Sequence, residues 1–360
     1  MKFLDLFAGI GGFRLGMESA GHECIGFCEI DKFARASYKA IHDTKGEIEL
    51  HDITRVTDES IRRIGSVDVI CGGFPCQAFS IAGARRGFED TRGTLFFEIA
   101  RFASILRPRY LFLENVKGLL NHENGITFET IISTLDELGY NVEWQVLNSK
   151  DFGVPQNRER VFIIGHFRGE CTRRIFPLSG QSQSISNKSV VKIGNVNPSG
   201  NGMNGEVYQA DGLAPTLTTN KGEGQKIAIK SNTIKQFGVL QPNFNQCGVV
   251  YETDGIAPTI RAYQGGGLEP KIIQRGHGYN QGGVHEIAPT LTSNSYHENN
   301  HLSFGYRIRK LTPRECWRLQ GFPDWAFDKA QEVNSNSQLY KQAGNSVTVN
   351  VIAAISKKLE

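Results

Sequence analysis

Three groups of residues stand in patterns that could do chemistry. Cys76 lies in Gly72-Gly-Phe-Pro-Cys-Gln-Ala-Phe-Ser80, directly after the apolar run 67–71. Glu114 follows a second apolar run, 110–113, and Gln156-Asn-Arg-Glu-Arg160 precedes a third, 161–165. A lone cysteine is usually a small buried hydrophobe. A thiol on a Gly-Gly-Phe-Pro loop is different, because such a loop exposes backbone and side chain where a ligand would sit. Thiols are only a few per cent ionised at neutral pH, so nearby cations such as Arg158 and Arg160 would favour the nucleophilic form. Paired with a carboxyl group, a thiolate can add to a ring carbon while the acid protonates or hydrogen-bonds a ring nitrogen. Covalent catalysis then splits one difficult step into easier ones. Taken alone, the two arginines read equally well as ion pairs at a strand edge.

A fourth pattern concerns a cofactor. Residues 3–7 run straight into Ala8-Gly9-Ile10-Gly11-Gly12, with a helix expected from about Phe13. Strand, glycine turn and helix form the nucleotide-binding start of a Rossmann-like fold. Glycines allow the tight turn and let a ligand approach the backbone. A dinucleotide fingerprint would carry a third glycine where Arg14 stands, so the turn suits a cofactor without phosphate. Glu29 follows roughly twenty residues later, where an acid hydrogen-bonds ribose hydroxyls. Asp52-Ile53 comes after the next crossover, placed to meet an adenine amino group and ring face. A thiolate, an acid and a methyl donor together suit methylation of a pyrimidine carbon. Cytosine C5 is too weak a nucleophile unaided, and thiolate addition at C6 makes it enamine-like.

The elements that must position these residues are legible in the first 170 residues. Apolar runs at 3–7, 24–28, 67–71, 110–113 and 161–165 read as buried strands, and 31–41 and 95–106 have helical spacing. This alternation implies an α/β fold with a doubly wound sheet of parallel strands. Ligands bind at the carboxyl ends of such strands, so Cys76 and Glu114 should share one rim. From about Cys171 the texture turns to Gly, Asn, Ser and Gln with short Val/Ile/Thr/Tyr runs, which suggests a smaller, β-rich domain. Helical character returns at 312–319, opened by Thr312-Pro-Arg-Glu315 with the cap, first-turn proline and acid of a helix start. The apolar segment 347–355 should pack back on the first domain.

The β-rich region contains a repeat. Gly205-Glu-Val-Tyr-Gln-Ala-Asp-Gly-Leu-Ala-Pro-Thr-Leu217 matches Gly248-Val-Val-Tyr-Glu-Thr-Asp-Gly-Ile-Ala-Pro-Thr-Ile260, and Gly283-Val-His-Glu-Ile-Ala-Pro-Thr-Leu291 is a shortened third copy. Asp-Gly between strand-like runs is a hairpin signal. The copies read equally as structural hairpins or as duplicated recognition elements.

Composition narrows the class without deciding it. Forty Lys and Arg against 37 Asp and Glu give a formal charge of +3, which permits a basic DNA-binding groove without demanding one. Seven scattered cysteines argue for reduced thiols rather than a disulfide framework. Cys24 and Cys28 lie in an apolar run and should be buried rather than metal-bound; no metal site is expected. Asp5 interrupts the apolar start, no signal peptide is read, and no run reaches the length of a membrane span. A cytoplasmic protein is expected.

The ordered motifs then bear a resemblance. Asp5-Leu-Phe-Ala-Gly-Ile-Gly-Gly-Phe13, Gly73-Phe-Pro-Cys-Gln-Ala-Phe-Ser80, Gly87-Phe-Glu-Asp-Thr-Arg-Gly-Thr-Leu-Phe-Phe97 and Glu114-Asn-Val116 come first. Gln156-Asn-Arg-Glu-Arg160, Arg309-Lys-Leu-Thr-Pro-Arg-Glu-Cys316, Leu319-Gln-Gly-Phe-Pro323 and Gly344-Asn-Ser-Val347 complete the set. In this order the chain resembles the bacterial and phage DNA (cytosine-5) methyltransferases across nearly its whole length.

That resemblance implies an S-adenosylmethionine-dependent methyltransferase fold and a DNA (cytosine-5-)-methyltransferase. The enzyme would act on a cytosine flipped out of duplex DNA, in a restriction-modification system or as an orphan or phage enzyme. Cys76 would be the nucleophile, Glu114 would contact cytosine N3 and its amino group, and Arg158 and Arg160 would bind the base. Phe7, Gly9, Ile10, Gly11, Glu29, Ile30, Asp52, Ile53, Leu95, Asn345 and Val347 would line the cofactor pocket, with Ile30 replacing an aromatic residue common in relatives. Gln77, Ser80, Arg92, Thr259, Arg261, Tyr263 and Thr290 would touch DNA, Arg261 being able to pair with guanine. Residues 1–172 would form the catalytic and cofactor-binding domain, 173–338 the target-recognition domain, and 339–360 a return to the first. Duplex DNA is the expected partner of a nucleoid-associated monomer, with a cognate endonuclease possible in the same system. Competing readings are a tRNA cytosine methyltransferase with the same catalytic residues and a non-catalytic DNA-binding scaffold. A dehydrogenase is disfavoured by Arg14, and an amino-directed DNA methyltransferase by Gly-Phe-Pro-Cys itself.

Overall fold

Strands covered on both faces read as unbroken apolar runs, and here Val69, Ile70, Cys71, Leu111, Phe112 and Leu113 are wholly buried. The computed structural model describes residues 1–75, 95–180, 189–195, 205–210, 212–217, 226–230, 236–239, 249–251, 272–274, 283–285, 300–301 and 306–359. Around the buried runs it builds a seven-stranded sheet: β1 (Lys2–Leu6), β2 (Glu23–Cys28), β3 (Ile48–Leu50), β4 (Val69–Gly73), β5 (Tyr110–Val116), β6 (Tyr140–Asn148) and β7 (Glu159–Phe167). The strand order is β3-β2-β1-β4-β5-β7-β6. Helices α1 (Gly12–Ser19), α2 (Lys32–Ile41), α3 (Asp58–Ile64), α4 (Leu95–Leu106) and α5 (Ile126–Glu137) alternate with the strands.

The α/β reading holds, with a correction at one edge. Strands β3 to β5 are parallel, whereas β7 runs antiparallel to β5 and β6 antiparallel to β7. The sequence had offered parallel strands throughout. Strand β6 is half-exposed and mixed in polarity, so it lacks the apolar run that marked the others. Strand β1 ends at Leu6, one residue early, because Phe7 adopts φ 56° and cannot continue an extended strand.

Both cysteines of the 24–28 run are buried, and burial pushes the Cys24 and Cys28 thiols up to about 12. After the β-rich region come α6 (Pro313–Leu319), α7 (Asp324–Gln331), α8 (Asn336–Asn345) and α9 (Val349–Ser356). Helix α6 opens as its sequence suggested. The Thr312 hydroxyl accepts from the Glu315 amide at 3.2 Å, and Glu315 accepts from the Thr312 amide at 2.7 Å. Among the described residues no helix is long and apolar enough to cross a membrane.

The chain divides into two compact units. One comprises Met1–Ser189, Leu213–Gly222 and Thr312–Glu360; the other comprises Val190–Gly212 and Glu223–Leu311. These bounds differ from breaks at 172/173 and 338/339: α6, α7 and the start of α8 also belong with the first unit. The buried side chains of α6 to α8, notably Trp317, Phe327 and Leu339, hold these helices to one another. Trp317 packs edge-on to Phe327 at 5.5 Å and donates to the Leu339 carbonyl at 3.0 Å. In the second unit β8 (Lys192–Asn195), β9 (Glu206–Gln209), β10 (Lys226–Lys230) and β16 (Tyr306–Lys310) form a sheet in the order β16-β10-β9-β8. Short strands β11 (Gln236–Val239) to β15 (Asn300–His301) form two further sheets. Strand β9 pairs with β8 and β10, so the first repeat copy does not fold back on itself as the hairpin its Asp-Gly suggested.

Helix α9 packs on α1, as the apolar segment 347–355 led one to expect. The contact is close at Gly16, where an added Cβ would lie 2.6 Å from Ile352 Cβ. Gly16→Ala should therefore cost about 1–3 kcal/mol through overpacking. Thermal unfolding should report this as a lower Tm, by roughly 2–4 °C per kcal/mol; an unchanged Tm would mean that α9 is free to shift.

Candidate active site

The glycine turn that follows β1 is shaped by its neighbours. Gly9 and Gly11 both have positive φ, 57° and 85°, a region that side chains rarely enter. A Cβ on Gly11 would also collide with the His42 ring, and one on Gly12 would come within 2.8 Å of Val347 Cγ2. His42 is buried, and that burial lowers its imidazole to about 3, so the ring against the turn is neutral. Arg14 stands where a third glycine might be; it is buried and ion-paired with Glu47 at 2.8 Å and Glu18 at 2.7 Å.

Glu29 is tied to this turn. Its two oxygens accept from the Gly9 amide at 2.8 Å and the Asp31 amide at 2.7 Å, which fixes the carboxylate and leaves lone pairs for hydroxyl donors. Burial nevertheless pushes the carboxyl above its ordinary range. Ile30 beside it is 68% exposed. Asp52 caps the short turn Ile53–Arg55, accepting from the Thr54 hydroxyl at 2.7 Å and amide at 3.1 Å. The Thr54 bonds hold its carboxyl below the usual range, while Ile53 is buried. Leu95 begins α4, half-buried; Phe7 and Ile10 stand on either side of Ala8-Gly9, Ile10 buried. Asn345 ends α8 and is exposed, whereas Val347 is buried.

The chemical end lies one strand further along the same rim. Gly73, the last residue of β4, pairs in register with Glu114 on β5. A Cβ on Gly73 would stand 3.0 Å from Glu114 Oε2 and 3.6 Å from Val347 Cγ1. Glu114 is buried and its Oε1 meets Arg160 Nε at 2.9 Å. Burial pushes the Glu114 carboxyl up, against the opposing pull of Arg160 and Arg158. Neighbouring Asn115, which sequence reasoning left without a role, is buried too. Its Nδ2 donates to the Phe74 carbonyl at 2.9 Å and its Oδ1 accepts from the Val116 amide at 2.8 Å. The backbone two residues before Cys76 is thereby pinned to the strand that carries Glu114. Cys76 itself lies outside the described residues, as do Gln77, Ser80, Arg92, Thr259, Arg261, Tyr263 and Thr290.

The two arginines are deployed differently. Arg160 faces Glu114, while Arg158 is buried and donates to the carbonyls of Ser346 at 2.8 Å, Gly344 at 3.2 Å and Leu217 at 3.3 Å. Burial and the Arg160 charge lower Arg158 to about 9. Gln156, also buried, donates to the Leu319 carbonyl at 2.9 Å. Residues 213–217 lie against this segment, a contact that the sequence did not disclose; its only signal was the Ala-Pro-Thr repeat itself.

Comparison with known proteins gives this rim a context. The sequence pattern of the family described as C-5 cytosine-specific DNA methylase matches residues 1–360. The chain is 36% identical to the orphan methyltransferase M.SPRI of Bacillus phage SPR, over 100% of this chain and 97% of that protein. It is also 36% identical to the type II methyltransferase M.HhaI of Haemophilus parahaemolyticus, over 99% and 93% of the two chains. The solved structure of the Entamoeba histolytica methyltransferase EhMeth superposes with a TM-score of 0.58 at 17% identity, covering 99% of this chain and 97% of that one. That likeness is one of fold.

Replacing Arg160 isolates the electrostatics. Arg160→Leu leaves the buried Glu114 without its close cation and should cost about 3 kcal/mol near neutral pH. The carboxyl's folded pKa is raised and rises further without the arginine. The cost is therefore small in acid, where both proteins hold the proton, builds as pH climbs through the parent's folded value, and levels off above the variant's; the unfolded value is common to both and cancels. Denaturant unfolding at several pH values reads this directly. A loss independent of pH would show that Arg160 acts by packing alone.

Proposed function

The chain belongs to the C-5 cytosine-specific DNA methylase family, and from that premise we propose that it methylates C5 of a cytosine turned out of duplex DNA, through a covalent adduct with Cys76 and with S-adenosylmethionine as donor. The observation that carries the reading is a buried carboxyl, Glu114, in register with the end of the strand that leads to Cys76 and paired with Arg160.

The residues of the glycine turn fit such a donor. Glu29, held by two backbone amides, can accept from the two hydroxyls of a ribose. The exposed side of Ile30 offers an apolar surface for an adenine, Asp52-Ile53 stands at the end of the next strand, and Leu95, Asn345 and Val347 complete the lining. S-adenosylmethionine, when bound, supplies an electrophilic methyl group on a sulfonium.

The chain's own residues supply the rest. The Cys76 thiolate forms a bond to cytosine C6, and the C5–C6 double-bond electrons become available at C5. Glu114, whose carboxyl burial raises above its ordinary range, donates from its protonated form to N3 and offsets the charge that develops on the ring. Arg160 lies where its remaining N–H groups can hold the exocyclic oxygen. Once C5 carries its methyl group, loss of the C5 proton to water and expulsion of the thiolate restore the double bond. Neither C5 nor C6 can be reached within the base stack, so the cytosine must be extruded.

The first unit is the catalytic and cofactor-binding part, and the β-rich second unit reads the target. Thr259, Arg261, Tyr263 and Thr290 are the residues proposed to touch bases there, and Gln77, Ser80 and Arg92 to touch DNA near the reacting base. The enzyme acts as a monomer in the prokaryotic cytoplasm, at the nucleoid, as an orphan or as half of a restriction-modification pair.

Cys76→Ala should abolish methyl transfer while S-adenosylmethionine still binds, measured by calorimetry. Duplex containing 5-fluorocytosine should become trapped on Cys76; normal turnover on cytosine without any trapped adduct would refute the covalent route, and activity on tRNA alone would refute the duplex substrate. Glu114→Gln should slow turnover by about 10²–10⁴-fold. In the parent, the rate should decline as pH rises through the elevated Glu114 pKa, because the proton is then lost, and the variant should lack that decline.

A further inference from the structure

The first Ala-Pro-Thr copy is fastened to the segment that carries the arginines. The Asn157 amide donates to the Ala214 carbonyl at 2.8 Å and the Ala214 amide donates to the Pro155 carbonyl at 2.8 Å. Ala214 thus forms a parallel bridge with Gln156. Pro215 has no N–H with which to extend a ladder. Beyond it the Thr216 hydroxyl donates to the Asn157 carbonyl at 2.8 Å, and the Leu217 carbonyl accepts from Arg158 at 3.3 Å. Leu213 and Leu217 are both buried. All these residues belong to the first unit.

Arg158 depends on this attachment. Its guanidinium is buried and forms no ion pair among the described residues; its acceptors are the carbonyls of Leu217, Gly344 and Ser346. One acceptor thus comes from the 213–217 segment and two from the segment that leads into Val347. We propose that residues 213–217 are a positioning strap: Thr216 locks the segment to Asn157, the Leu217 carbonyl then aims Arg158, and Arg158 sets the neighbouring Arg160–Glu114 pair for turnover. Ala, Pro and Thr recur at residues 257–259 and 288–290, with the flanking aliphatic positions alternating between Leu and Ile; the strap rests on the bonds of the first copy alone.

The proposal rests on the methyl-transfer reading, and two measurements keep their failures apart. Thr216→Val removes the hydroxyl at nearly constant shape. It should lower kcat for duplex methylation roughly tenfold, the upper range for one hydrogen bond, with KM for S-adenosylmethionine unchanged. Thr216→Ser should restore most of that loss. Amide hydrogen exchange at Asn157 should quicken in Thr216→Val, whatever substrate the enzyme takes. A parent chain that fails to methylate duplex DNA sinks the methyl-transfer reading, while the exchange comparison still decides the strap. Thr216→Val with parental kcat, Thr216→Ser as slow as Thr216→Val, or unaltered exchange at Asn157 would each overturn the strap.

Discussion

Glu114 is a buried carboxyl whose close cation is Arg160, 2.9 Å away, and the surrounding architecture follows from keeping it so. A buried carboxylate costs several kcal/mol unless it is paired, and pairing too strongly would leave it permanently ionised. Here the burial outweighs the cations and raises the carboxyl above its ordinary range, which suits the proposed donation to a ring nitrogen. That balance requires strand β5 to be covered on both faces, β7 to lie beside it in antiparallel register so that Arg160 arrives at Val116, and Gly73 to leave room on the other side. The antiparallel edge is therefore part of the site. A parallel β7 would bring its carboxyl end to this rim and carry Arg160 to the far one.

Much of this was legible in the sequence because the relevant signals are local. The glycine turn, the run before Glu114 and the cap at Thr312 each announce themselves within a few residues. Glu29 was legible through its distance from the turn, and the structure ties it there by two amides. What escaped was non-local. Asn115 has no signature until Phe74 is beside it, and His42 reads as a helix-end residue until the space above Gly11 is seen to be filled by its ring. Strand β6 escaped for another reason: an edge strand with mixed polarity lacks the unbroken apolar run that identifies a buried one.

The repeat shows how a strong local rule can be overruled. Asp-Gly between strand-like runs favours a hairpin, yet β9 takes β8 and β10 as partners, and Ala214 bridges Gln156 instead. Once β9 is paired on both sides it has no free edge, so the chain beyond Gly212 must find its hydrogen bonds elsewhere. Ser189 and residues 155–158 supply them. The same pairing accounts for the break at Gly212/Leu213; the other breaks between the units fall at Ser189/Val190, Gly222/Glu223 and Leu311/Thr312.

Two arginines two residues apart on an extended segment fall on the same side, yet their partners separate their duties. Arg160 meets a carboxylate; Arg158 meets three carbonyls drawn from two segments. A planar fork with several fixed donors can join such segments, whereas an ammonium could not reproduce the geometry. Because one of those segments runs into Val347, which touches both Gly12 and Gly73 through the space their missing side chains leave, the cofactor turn and the carboxyl site share one buried junction. A shift of the 344–347 segment would therefore move the lining of the glycine turn and the surroundings of Glu114 together, and the junction's arginine registers such a shift at two of its three acceptors, Gly344 and Ser346.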